Sequence, residues 1–358
     1  MKYLKAFVLS YLYIFSLNIC AQEVIFNNKK PLNQNHYNLK RIIQISGESD
    51  KFFFRYPRNI KINKSGDIFL TDYNQLLRLN KNGKFIHNYY YRGQGPSELI
   101  NMTNYLLHNN FIIIFNIRPH KIVWFELDGT LKKEFRLYDK LFYGELLAYH
   151  NKKYNIVVFT IPRIKNNSGF RNSTYSFIEF SDKGENFKQL ISFPVKTFIV
   201  SLEGGSSFNG IARFIYKVYN NRYVVFSHTR KYQIKVFDLK EKTIVNAFSR
   251  AYKRIKASSY NLENITIQGK KYNELIMKYK ADIKDIVLYK DKIWVVTSTK
   301  KNNTTLIDEF DYNGNYINKF YLKLKGNIIA SKGSFLFVRE KSEDDNPIIV
   351  KYLVSKHK

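Results

Sequence analysis

A recurring four-strand pattern is the feature that most limits what this chain can become. It is clearest over residues 56–98, YPRNIKINKSGDIFLTDYNQLLRLNKNGKFIHNYYYRGQGPSE. Asn59-Ile60-Lys61-Ile62 alternates polar and apolar residues, and Ser65-Gly66 turns the chain. DIFLT (67–71) is nearly continuous in apolar residues, as expected of a strand buried on both faces. QLLRL (75–79) is a third strand, and Asn82-Gly83 supplies the positive φ angles of a tight hairpin. Residues 84–91 are more polar and fit a sheet edge.

Copies follow at irregular spacing. Residues 105–135 contain FIIIF and Asp128-Gly129, and 145–193 contain NIVVFT, YSFIEF and Asp182-Lys183-Gly184. Residues 211–248 keep YVVFS and IKVFDL but lack the glycine of the last turn. It returns over 283–321, with IWVVT, LIDEF and Asn313-Gly314. Residues 327–354 supply only three strands (NIIA, SFLFV, IIVKYL), and LKRIIQI (39–45) is a spare strand belonging to no unit. Four antiparallel strands per roughly 40–50 residues predict an all-β, six-bladed β-propeller of four-stranded antiparallel blades. The spare N-terminal strand joins the C-terminal blade and closes the ring, which covers the edges an open array would expose. A β-sandwich lacks this regular period.

Two segments stand outside the repeat. Residues 196–210 read as a polar connector, and about 250–282 as a helix-bearing insertion, with helical spacing at Leu275, Ile276 and Tyr279. Residues 39–358 therefore form a single propeller domain after a leader at 22–38.

Residues 1–21 read as a secretory signal peptide. Lys2 and Lys5 precede an apolar run over 6–19, and Ala21 is the small residue at the cleavage point. The run is short for a membrane span, and no other segment of the sequence qualifies as one. Cys20 raises the alternative of a lipid anchor, but Ile19 is large where lipoprotein signals have a small residue. The expected location is periplasmic or cell-surface. Cys20 is the sole cysteine, so the exported chain has no disulfide framework and no thiol chemistry.

GDIFLTD (66–72), LLRLNKNGKFI (76–86) and RGQGPSE (92–98) together resemble the six-bladed β-propeller proteins of Bacteroidetes, relatives of NHL-repeat propellers. In those proteins the connector usually reads G-x-G-P-G-E, and Ser97 departs from it. The resemblance implies export or lipid anchoring. Most such proteins have no assigned activity; the reading adopted is a non-enzymatic binding or interaction scaffold, and the alternative that the resemblance implies is an NHL-like metal-dependent lyase or lactone hydrolase.

A net charge of +30 favours anionic partners, although scattered lysines also serve only to solvate a surface. A propeller gathers the loops between blades, and between second and third strands, around one mouth of its channel. Those loops carry Arg92, Arg118, His120, Arg163, Arg171, His228, Arg230 and Tyr232, the candidate ligand-binding residues. Arginine's planar fork suits carboxylate, phosphate or sulfate, so an anionic ligand, a glycan or a protein is the expected partner. Nucleic acid fits the charge but not the export signal.

The connector residues Gly93, Gly95, Pro96 and Glu98 are read as structural: the glycines permit unusual φ, the proline rigidifies, and Glu98 accepts backbone N–H bonds beyond it. No helix follows this G-x-G, so a dinucleotide site is rejected. The seven histidines show no metal-ligand spacing, and no G-x-S-x-G occurs. No cofactor is implied, and calcium or zinc at the channel mouth belongs only to the enzymatic alternative. Catalytic residues are not identifiable.

Overall fold

The computed structural model describes residues 24–357, except 28–29, 34, 48–49, 138–143, 162–168, 203–204, 210–213, 258–265, 268–269 and 272–277. The expected signal segment lies outside the described residues.

The structure is a ring of six four-stranded antiparallel blades. Blade one comprises Arg58–Ile62, Ile68–Asp72, Gln75–Leu79 and Phe85–Asn88, running from the channel outward. Blade two comprises Met102–His108, Phe111–Ile117, His120–Glu126 and Leu131–Arg136, and blade three Gly144–His150, Lys153–Thr160, Gly169–Ser181 and Lys188–Leu202. Blade four comprises Phe214–Tyr219, Tyr223–His228, Gln233–Asp238 and Thr243–Arg250, and blade five Ile283–Tyr289, Lys292–Lys301, Thr304–Phe310 and Tyr316–Leu322. Blade six takes Asn327–Lys332, Phe335–Lys341 and Pro347–His357 from the C-terminus and His36–Ile45 from the N-terminus.

The second strands are apolar because a neighbouring blade covers each of their faces; all five residues of Ile68–Asp72 are buried. Apolar side chains therefore collect into interblade seams. One joins blades one and two around Phe69, Tyr89 and Ile114, and another joins blades five and six around Trp294, Phe320 and Leu336. The hairpin glycines set the spacing of these seams. Gly314 has φ +83, and a β-carbon there would meet Phe248 Cβ of blade four at 2.8 Å. Blade four, which lacks the glycine, carries Lys242 at φ 58 in the same kind of turn. Its ammonium reaches back to Glu179 of blade three at 2.9 Å.

Ring closure is antiparallel, with His36 opposite His357 and Ile45 opposite Ile349. The segment ahead of it is more than a leader. Ile25–Asn27 adds a parallel strand to the outer edge of blade four, and Asn27 Nδ2 donates to Ser249 O and Gly314 O at 3.0 and 3.1 Å. Asn33 then bridges to Asn318 of blade five before the chain enters blade six. The N-terminus thus straps three successive blades.

Two expectations need correction. Residues 196–210 are not a polar connector: Lys188–Leu202 is one long strand, and Gly205–Asn209 folds back on it as a fifth strand of blade three. The 250–282 insertion has no helix among the described residues. Lys270–Lys271 pairs with Thr266–Ile267, and Tyr279 bridges antiparallel to Lys256, so backbone groups expected in a helix bond across strands instead. Leu275 and Ile276 lie outside the described residues.

Candidate functional site

The innermost strands of the six blades enclose a recess of about 900 Å³ on the channel axis. Residue alternation along these strands decides what faces it: Ile60 turns into the core while Lys61 faces the lumen. Seven cationic side chains line the recess: Arg58, Lys61, Lys217, Lys284, Lys300, Lys325 and Arg339. Among the described residues only two carboxylates do so, Glu145 and Asp285.

Both carboxylates are already engaged. Asp285 pairs with Lys217 at 3.6 Å, and Glu145 accepts the Tyr216 hydroxyl hydrogen bond. Burial, reinforced by Glu145, pushes the Tyr216 phenol well up. The cations accordingly disturb one another. Burial pushes the Lys61 ammonium down to about 8, opposed by Glu145 and assisted by the charge of Lys217. Burial, with Lys300 and Lys280 nearby, also lowers Lys284. An array of like charges in a concave wall focuses a positive potential on whatever enters. At the mouth, the Arg339 guanidinium lies 3.6 Å from the Tyr56 ring centre and donates to Pro57 O at 3.3 Å.

Among the described residues, none of the loop residues singled out from sequence lines this recess. Arg92 and Arg118 are exposed, the latter before the cis peptide to Pro119. His120 opens the third strand of blade two, Arg171 lies within blade three, and Arg163 lies outside the described residues. His228 and Arg230 do come together, with the Arg230 N–H donating to His228 Nδ1 at 3.2 Å. Burial and the neighbouring Arg230 and Lys231 charges lower the His228 imidazole. Arg230 donates to the Tyr279 carbonyl, which docks the insertion against blade four, and within the insertion Arg254 Nε donates to Asp282 Oδ1 at 3.0 Å. Tyr232 is buried. Its hydroxyl donates to Asp308 Oδ2 at 2.6 Å, alongside Tyr316 to Oδ1 at 2.7 Å, while Arg250 pairs with the same carboxylate. This cluster ties blade four to blade five.

The connector is a docking joint. Gly95 N–H donates to Glu98 Oε2 at 2.8 Å, so Glu98 binds backward in the chain rather than beyond itself. A β-carbon at Gly93 would lie 2.0 Å from the same oxygen. Ser97 holds φ 62, the left-handed geometry that makes glycine usual at this position. Fully buried Lys121 of blade two fastens the joint, donating to Gly95 O at 3.0 Å and Glu134 Oε2 at 2.9 Å.

Among the described residues, no three His, Cys, Asp or Glu side chains form a group able to hold a metal ion. No helix among them is long and apolar enough to cross a membrane.

Fold and recess together define a six-bladed propeller with a cationic channel. Residues 48–253 match the family described as 6-bladed beta-propeller (DUF5128), and the chain belongs to that family. A crystal structure of a Bacteroides fragilis protein described as exported is similar over 94% of this chain and 99% of its own, with a TM-score of 0.53 and 15% identity. A DUF4221 member from Bacteroides vulgatus is similar over 91% and 100%, with a TM-score of 0.58 and 9% identity. At such identities the likeness establishes the fold. No curated protein matches the chain.

Proposed function

We propose that this propeller is an exported, non-enzymatic binding scaffold that captures an anionic ligand in its central recess. The observation that carries the reading is the imbalance, among the described residues, of seven cations against two carboxylates, both of the latter already engaged. Mutually repelling lysines weaken a fold unless a ligand neutralises them, and perturbed ionisable groups concentrate at functional sites. Export to the periplasm or cell surface is supported by the signal pattern of residues 1–21 and by the Bacteroides fragilis relative described as exported.

Calorimetric titration with a sulfated oligosaccharide tests this. Replacing Lys61, Lys284 and Lys325 together by Ala is expected to weaken binding about a thousandfold or more, at roughly 1.5–3 kcal/mol for each charge-assisted contact. Replacing Arg118 and Arg230 by Ala is the comparison, and is expected to change affinity little. The reverse ranking would move the site to the loops. Metal content of the purified protein is the readout for the enzymatic alternative: stoichiometric calcium or zinc would favour an NHL-like metal-dependent enzyme.

A further inference from the structure

We infer that the anion taken by the recess is an acidic oligosaccharide, and that an aromatic rim on blade one stacks against its uncharged sugar faces; this rests on the anion-binding reading above. The rim begins at Tyr73, in the turn between the second and third strands of blade one. Its side chain is 65% exposed, and its backbone holds φ 44. A bulky residue is an outlier in that region, and such conformations cluster at ligand-binding sites.

Asp72, fully buried beside it, accepts the Arg55 and Tyr56 backbone N–H groups at 2.7 Å each, which clamps the preceding segment against the turn. The Arg55 guanidinium consequently sits 5.1 Å from the ring centres of both Phe53 and Tyr73. Phe53 and Tyr56 are also exposed, and Tyr56, covered on one side by Arg339, itself lines the recess. Exposed rings backed by guanidinium groups therefore lead from the outer face into the cationic cavity.

This combination has a specific chemistry. A free aromatic face stacks on the C–H face of a sugar ring. The guanidinium beside it pairs bidentately with a carboxylate or sulfate on the same or the next residue. The recess lysines take the terminal acidic group. A volume of about 900 Å³ suits a few sugar rings. A nucleic-acid strand, with a phosphate every ~3.4 Å, calls for a continuous cationic track, whereas these cations cluster in a recess reached past an aromatic rim.

The test titrates wild type, Tyr73→Asn, Tyr56→Leu and Lys61→Ala/Lys284→Ala with a sulfated tetrasaccharide, its unsulfated counterpart, inorganic sulfate and an oligonucleotide of matched charge. Asparagine tolerates left-handed backbone, so Tyr73→Asn is expected to keep or raise Tm. Each tyrosine variant is expected to bind the sulfated tetrasaccharide about tenfold more weakly, a change of ~1.4 kcal/mol, and Tyr73→Asn, whose ring stands outside the recess, is expected to leave sulfate affinity unchanged. The lysine variant is expected to lose affinity for both. Wild-type affinity of both tyrosine variants for the tetrasaccharide would overturn the rim while leaving the anion site standing. Tighter binding of the oligonucleotide than of the sulfated tetrasaccharide would overturn the ligand class. Failure of wild type to bind any of the anions would overturn the anion-binding reading itself.

Discussion

Lys61 shows how a single residue couples stability to binding. Its ammonium, ordinarily at 10.5, is pushed down to about 8 in the folded protein, chiefly by burial. The unfolded chain therefore binds more protons between those values, so this residue's contribution to stability rises with pH through that window. Anion affinity runs the opposite way, because the ligand prefers charged Lys61: it is expected to fall as pH passes through about 8. Titrations between pH 7 and 10 check this; Lys61→Arg should keep its affinity at high pH, and a wild-type profile that stays flat would contradict the assignment. Gly314 makes the converse point, a residue whose role is purely spatial. Gly314→Ala places a β-carbon at φ +83 against Phe248. It is expected to cost about 2–4 kcal/mol in urea unfolding, from left-handed strain plus overpacking. That glycine was legible from its Asn-Gly turn. The direction of Lys61 was not, because lumen and exterior are distinguished only once the ring is closed.

Among the elements, the connector between blades one and two is a joint held by one buried charge. Glu134→Ala removes the carboxylate that neutralises Lys121 inside blade two, and is expected to destabilise by about 3 kcal/mol. Thermal or denaturant unfolding reads this directly, and a change below about 1 kcal/mol would mean that the Gly95 carbonyl alone satisfies the ammonium. The strands were legible because apolar runs and Gly-containing turns are local signals. The strap at Ile25–Asn27 was not, since it pairs with Phe248–Arg250, more than two hundred residues away, without a local signature. Of the residues with helical spacing in the insertion, Leu275 and Ile276 lie outside the described residues, and Tyr279 bonds across to Lys256.

For the whole molecule, closure places six inner strands around one axis, and that convergence turns ordinary lysines into a concentrated positive field. In a chain of net charge +30, no single lysine announces this role. The signal that could have found the site was narrower: cations at the non-core positions of the first strands of blades one, four and five, Lys61, Lys217 and Lys284. Loop arginines are the more conspicuous candidates in the sequence because propeller mouths are built from loops, whereas Arg230 is engaged with Tyr279. The most direct test of the central claim is a crystal structure of the protein soaked with a sulfated oligosaccharide. The expected density lies in the central recess, with acidic groups near Lys61, Lys284 and Lys325. Density on the loops bearing Arg118 and His228, with the recess holding none, would contradict it.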